Sequence, residues 1–251
     1  MSDLDVTVAG SIAWLTLNRP AKLNALNRAT VRELADVLAE LQERSDVRVV
    51  VTRGAGRAFC AGSDLADLAP LSPAEATAVE REHAAACALF DALPQPTVAA
   101  LHGYVLGGGL GLALYHDFRI AEESTTFGMP EVELGWTPPW AIGRLVDVVG
   151  PTHARWLSIA GERVSGPEAR AFGLVNAVVP DGYLNERVEA FAIRLAVLPA
   201  AAVRETKALI LRMSPLRQPE WDAAAAEAFE RCYATPEARA NVAAFVGRRK
   251  G

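Results

Sequence analysis

Phe59-Cys60-Ala61-Gly62-Ser63-Asp64 and His102-Gly103-Tyr104-Val105-Leu106-Gly107-Gly108-Gly109-Leu110 are two glycine-bearing segments, each preceded by an apolar run of strand character. Val47 to Thr52 leads into the first and Thr97 to Leu101 into the second. Both turns therefore belong at strand ends, where glycine lets the backbone approach a ligand closely and take φ > 0. One N–H from each turn can then meet on a single oxygen, the geometry of an oxyanion hole.

Toward the N-terminus, Val6 to Ala9 and Ile12 to Leu17 flank Gly10-Ser11 as a hairpin, and Asn18-Arg19-Pro20 predicts a turn. Thr30 to Arg44 carries Val31, Leu34, Ala35, Val37, Leu38 and Leu41 at helical spacing before the strand Val47 to Thr52. Between the glycine segments, Ser72-Pro73-Ala74-Glu75 has the cap, proline and acidic first turn of a helix running toward Leu93, where Pro94 and Pro96 stop it. Gly108 to Tyr115 reads as a buried helix and Phe118 to Ala121 as a strand. The first 150 residues thus alternate strand and helix, as layered α/β folds do. Beyond Pro138 the chain predicts helices near Trp140 to Val149, Thr152 to Ala160, Leu184 to Val197, Ala200 to Met213, Trp221 to Tyr233 and Pro236 to Arg248, with Leu174 to Val179 the only strand. Leu195, Leu209, Trp221, Phe229 and Phe245 need partners there, which a helical lid or a subunit interface would supply.

The chain has 251 residues, 51% of them hydrophobic, enough for one sizeable core, and a formal net charge of −5 that disfavours nucleic acid and anionic membranes as partners. Cys60, Cys87 and Cys232 lack metal-ligand spacing and read as reduced thiols of a cytoplasmic protein. The start, Met1-Ser2-Asp3-Leu4-Asp5, has no export pattern, and no apolar run is long enough to cross a bilayer.

Gly107-Gly108-Gly109 opening a helix offers N–H groups to a developing negative oxygen, and the Ser63 N–H is the second candidate donor. A donor of this kind is worth about 3–4 kcal/mol of transition-state stabilisation. Neither GxGxxG nor GxxxxGK[ST] is present, so no dinucleotide turn or P-loop is written here. GxSxG is missing too, and no histidine near Ser63 in sequence marks it as a nucleophile. In Met129-Pro130-Glu131-Val132-Glu133-Leu134-Gly135, an acid in apolar surroundings points to a raised pKa and proton transfer at Glu131, whereas Glu133 reads as a surface or ion-pair residue. His83, His102, His116 and His153 show no metal spacing; His102 and His116 read as structural, with His116-Asp117 near enough to the glycine helix to stay in reserve. Trp136 and Trp140 suit either a substrate pocket or packing.

Asn18-Arg19-Pro20 with Asn24-Ala25-Leu26, Phe59 to Leu65, Gly103 with Gly107-Gly108-Gly109, Pro130-Glu131 with Leu134-Gly135, and Ala169 with Gly173-Leu174-Val175 follow one another in an order that closely resembles the enoyl-CoA hydratase/isomerase (crotonase) family, over essentially the whole chain. The resemblance implies an α/β, crotonase-like spiral of repeated ββα units with a helical C-terminal trimerisation region. It divides the chain into a core with the acyl-CoA site (1–195) and a helical region for lid and subunit association (196–251), assembled as homotrimer or homohexamer. It also implies an acyl-CoA thioester substrate whose carbonyl oxygen is held by the N–H groups of Ser63 and Gly108, with no metal and no cofactor beyond the coenzyme A of the substrate. The adenine and phosphates would lie near Lys22, Leu23, Asn24, Ala25, Leu26 and Ala61, and Gly62, Asp64, Gly107, Gly111 and Trp136 complete the expected substrate contacts.

Hydratases of the family carry two glutamates. Glu131 matches the second, but Gly111 stands at the place of the first. One carboxylate suffices to move a double bond, so the resemblance points to an enoyl-CoA isomerase (3-enoyl to 2-enoyl) with Glu131 as its base, and Gly111 leaves room for a bulky or bent acyl chain. The alternatives are a hydratase or related lyase, with Asp67, Glu133 or His116 as the missing acid, and a non-catalytic acyl-CoA-binding subunit. Hydrolase or decarboxylase chemistry on the same enolate is a further variant.

Overall fold

The computed structural model describes residues 2–213 and 218–248. β1 (Leu4–Ala9) and β2 (Ile12–Leu17) pair antiparallel around Gly10-Ser11. α1 (Arg28–Gln42) starts where Asn27 Oδ1 accepts the Thr30 N–H at 2.7 Å, and it buries Val31, Leu34, Leu38 and Leu41 along one face. β3 (Val49–Gly54) follows, then α2 (Leu65–Leu68) and α3 (Pro73–Ala92), the latter opened by a Ser72/Glu75 capping box. β4 (Thr97–Leu101), β5 (Tyr104–Leu106) and α4 (Gly108–Leu114) come next, then β6 (Phe118–Glu122), β7 (Thr126–Gly128) and α5 (Ile142–Ser158). The chain ends in α6 (Gly166–Ala171), β8 (Ala177–Val179), α7 (Leu184–Ala196), α8 (Ala200–Met213), α9 (Gln218–Tyr233) and α10 (Pro236–Arg248).

A six-stranded sheet runs β1-β2-β3-β4-β6-β8, parallel except for β1. Behind it β5 and β7 form a second, parallel pair, widened by single bridges that join Leu26 to Ser63, Cys60 to Val105 and Phe127 to Val164. Each turn of the chain thus gives one strand to the large sheet, one extended piece to the small one, and then a helix. Leu15, Val50, Ala99, Leu101, Val105, Leu110 and Phe127 belong to the main core, while α7 closes another face with Leu184, Val188 and Ala192 packed in one cluster with Val49, Val51, Val98 and Ile120.

The structure differs from the sequence reading in a few places. β5 and β7 are three residues each, too short for a period-two pattern to register. The two helices expected over 140–149 and 152–160 are both present as the two arms of α5, parted at Gly150, whose φ of 72° breaks the helical path. The strand expected from Leu174 begins only at Ala177.

In the C-terminal helices, Leu195 and Phe229 are buried, whereas Leu209 and Trp221 remain exposed. α9 and α10 fold back over the same chain: Phe229, Tyr233, Ala238 and Val242 cluster with Leu68, Ala76, Val79 and Trp136. Tyr233 donates its hydroxyl hydrogen to Leu68 O at 2.6 Å. α8 is tethered by the Lys207 ammonium, 2.9 Å from Asp117 and donating to Phe90 O and Gln95 O at 3.1 Å. Residues 214–217 and 249–251 of the expected 196–251 region lie outside the described residues.

Candidate active site

The first glycine turn is sewn between two neighbours. Cys60 N donates to Tyr104 O and Leu106 N to Cys60 O, both at 3.1 Å; on the other side Leu26 N donates to Gly62 O and Asp64 N to Leu26 O, both at 2.8 Å. In a parallel bridge the residue between two bonded groups points its own N–H the other way, so the Ser63 amide faces away from Leu26, toward the second turn. There Gly108 is the first residue of α4, and a first-turn N–H has no acceptor within its helix. Neither amide has a hydrogen-bond acceptor among the described residues.

The approach of the two turns depends on missing side chains. A Cβ at Gly109 would collide with the backbone of Cys60, one at Gly62 would stand 3.2 Å from Leu106 O, and one at Gly108 would stand 3.2 Å from the Trp140 ring. Gly62 (φ 105°) and Gly107 (φ 53°) also hold conformations that L side chains rarely adopt.

The two amides sit in a cavity of about 290 Å³. Ala61, Gly62, Ser63, Gly107, Gly108, Glu131 and Trp136 of the sequence candidates all line it. Glu131 enters on a 3-10 turn after β7; its Oε1 is 3.0 Å from where a Gly107 Cβ would be, and its Oε2 is buried with no hydrogen-bond partner among the described residues. Burial pushes its pKa to about 8, against a backbone hydrogen bond that lowers it, with the nearby Glu80 charge adding to the rise. Trp136 both lines the cavity and packs on Phe229 and Tyr233, ring centres 5.6 and 5.2 Å away, so its two readings merge.

Other candidates lie elsewhere. Lys22 is exposed and does not line the cavity, although its neighbour Leu23 does. Asn24 spends its side chain on the backbone, accepting from Arg19 N at 2.9 Å and donating to Ala55 O and Ala58 O at 2.9 and 2.7 Å. Ala25 and Leu26 are buried outside the cavity lining. Asp64 caps α2 and binds Arg19 at 2.9 Å. The room expected at Gly111 does not exist: a Cβ there would meet the Trp140 ring at 2.6 Å. Of the proposed substitute acids, Asp67 is exposed off the cavity, and Glu133 forms a bidentate pair with Arg163 at 2.8 and 2.9 Å at its edge. His116 is buried between Thr52 Oγ1 and Leu112 O, and burial drives its pKa down to about 3. Among the described residues there is no helix long and apolar enough to span a membrane, and no cluster of three or more His, Cys, Asp or Glu side chains suited to a metal.

The sequence reading missed Glu80 and His83 of α3. Glu80 is 2% exposed yet lines the cavity, and its Oε2 accepts the Trp140 indole N–H at 2.8 Å. His83 Nδ1 lies 3.6 Å from the same carboxylate and 3.4 Å from Ser63 Oγ, while its Nε2 is buried without a partner among the described residues. Burial raises the Glu80 pKa, but hydrogen bonding and charge from His83, with hydrogen bonds from Ser63 and Trp140, outweigh it and hold the carboxyl below its ordinary value. Hydroxyl and carboxylate share one ring nitrogen, whereas a nucleophile relay needs opposite nitrogens, so Ser63 is no serine-hydrolase nucleophile. The available signal was a Glu and a His, three residues apart, in the helix stripe otherwise marked by Ala76, Val79, Ala86, Cys87 and Phe90.

The profile of the family described as Enoyl-CoA hydratase/isomerase matches residues 7–251. This chain belongs to that family. It is 36% identical to a crotonyl-CoA hydratase of Syntrophomonas wolfei, over 95% of this chain and 93% of the relative. It is 34% identical to a short-chain-enoyl-CoA hydratase of Clostridium acetobutylicum, over 96% and 93%. Its fold superposes on the crystal structure of an enoyl-CoA hydratase/isomerase from Xanthobacter autotrophicus with a TM-score of 0.90 at 28% identity, covering 99% of this chain and 97% of the other. The protein is a crotonase-type acyl-CoA enzyme with the α/β crotonase fold, mixed sheets and C-terminal helices included.

Proposed function

We propose that this crotonase-family enzyme adds water to a short 2-enoyl-CoA. The observation that carries the reading is the buried Glu131 carboxyl, its Oε2 without a partner among the described residues, beside two amides that likewise have no acceptor among them, in one cavity. The thioester oxygen accepts from Ser63 N–H and Gly108 N–H. Water oxygen bonds to C3, the π pair of C2=C3 moves onto that oxygen as an enolate, and C2 takes a proton as the carbonyl re-forms. With a pKa near 8, Glu131 holds a proton at neutral pH and is ready to deliver it to C2. A 3-to-2 isomerase would start from the ionised form of the same carboxyl, and the similarity to named hydratases favours addition over that reading. The cavity is small against pockets of roughly 300–1,000 Å³ that enclose drug-sized ligands, so it suits the acyl end of a substrate.

A second reading, isomerisation, has one observation in its favour: Gly111 leaves α4 with no acid. Crotonyl-CoA and its 3-enoyl isomer, each incubated in ¹⁸O-labelled water, separate the two. Label in a 3-hydroxyacyl product, lost by about 10²–10⁴-fold in Glu131→Gln, is expected; conversion of the 3-enoyl compound alone would establish isomerisation and end the hydratase reading.

We also propose that α9 and α10 act as a lid and that the protein is a cytoplasmic homotrimer or homohexamer. The exposed Leu209, Ile210 and Met213 of α8, with Val197 and Leu198 before it, support association. Light scattering of the purified protein is expected to give three or six chain masses; a monomer mass would refute it.

A further inference from the structure

We infer that Glu80 is the second catalytic carboxylate of this site, a residue of α3 that holds and deprotonates the attacking water in place of an acid that α4 does not carry at Gly111. The inference rests on the hydration reading above. Burying a carboxylate is costly unless it is paired, and Glu80 is buried with its back to donors and its face on the cavity that also holds Glu131. His83, the Trp140 indole N–H and the Ser63 hydroxyl hold the carboxylate in place from behind and leave it facing the cavity.

Trp140 explains how the acid changed elements. Its ring fills the space over Gly111, where a Cβ would collide at 2.6 Å, and its N–H aims the Glu80 carboxylate from the same spot. One side chain thus forbids an acid on α4 and orients one on α3. The two carboxyls also sit in environments that separate their protonation: Glu80 is ringed by donors, whereas Glu131 has an orphaned oxygen in apolar surroundings. The step then balances. A water O–H gives its proton to Glu80 as oxygen bonds to C3, the π pair goes to the thioester oxygen, and the Glu131 proton goes to C2. The proton on Glu80 leaves to solvent and Glu131 regains one before the next turnover. The titratable groups around Glu80 are His83 and Cys87 on its own helix, Glu131 from the 3-10 turn and Tyr233 from α9.

The test compares wild type, Glu80→Gln and Trp140→Phe in two assays: hydration of crotonyl-CoA across pH, and exchange of the α-protons of butyryl-CoA with deuterated water. Exchange needs Glu131 and the amides but no attacking water. For Glu80→Gln, hydration is expected to fall about 10²-fold or more while exchange is retained or rises, since loss of the Glu80 charge leaves more of Glu131 ionised, and the acidic limb of the pH profile should flatten. For Trp140→Phe, loss of one donor to the carboxylate should move that limb to higher pH, a shift that a packing role would not produce and that carries the test if Glu80→Gln does not fold. Wild-type hydration in Glu80→Gln, or equal loss of both activities, overturns the inference and leaves the hydratase reading standing. A wild-type enzyme that exchanges α-protons but never hydrates overturns both.

Discussion

The two walls of the cavity are built from different material. One is backbone: the 60–63 strip and the 107–108 turn, pinned by strand pairing and presenting N–H groups from residues with little or no side chain. The other is side chain: Glu80 from α3, Trp136 and Trp140 ahead of α5, and the aromatic residues of α9 behind them. The backbone wall does the same thing whatever the neighbouring residues are, provided no Cβ intrudes. The side-chain wall depends on residue type, so it is the place where members of one fold can differ in reaction.

The sharpest way to break this contrast is Gly62→Ala. The added methyl lands 3.2 Å from Leu106 O at a φ of 105° that an L side chain rarely adopts, so the first turn must shift against the second and activity is expected to drop about 10²–10³-fold. Circular dichroism should show the fold retained; full activity would mean that the amides need not converge. On the other wall, Glu131→Gln should cost activity yet stabilise the protein. A carboxyl whose folded pKa is raised to about 8 from an ordinary 4.5 keeps a proton that the unfolded chain has lost, so its contribution is complete below about pH 4.5 and declines as pH rises toward 8. The variant's advantage in melting temperature should therefore grow from about pH 5 to pH 8; a flat difference would place the native carboxyl in water. The smallest effect is expected for Tyr233→Phe, which leaves Leu68 O without its 2.6 Å donor at a cost of about 1 kcal/mol. Urea titration checks the stability, and KM should rise more than kcat falls if α9 serves as a lid.

The same contrast explains what could be read from residues in order. The glycine turns were visible because backbone conformation and close approach leave a local mark, and Pro130-Glu131 stood out as an acid in an apolar run. The hairpin, α1, α3 and β4 followed from period, caps and prolines for the same reason. Glu80 left only a faint trace, because its meaning depends on Trp140, 60 residues away, and on a face of α3 that only packing defines. Gly111 misled for a related cause: glycine tells that a side chain is absent, not which neighbour takes the space. Asn24 and Asp64 were read as ligand contacts, but their polar groups are committed to Arg19 and to local backbone, partners set by the loop's tertiary path.

Cys60 opens the strip of the first turn that pairs with β5, its thiol wholly enclosed and its pKa pushed up to about 12 by burial. Such a sulfur is inert toward alkylating reagents until the strip that carries it lifts away from β5. Its labelling rate, resolved from those of Cys87 and Cys232 by peptide mapping, is thus a clock for separation of the two amides, one that a bound thioester should slow.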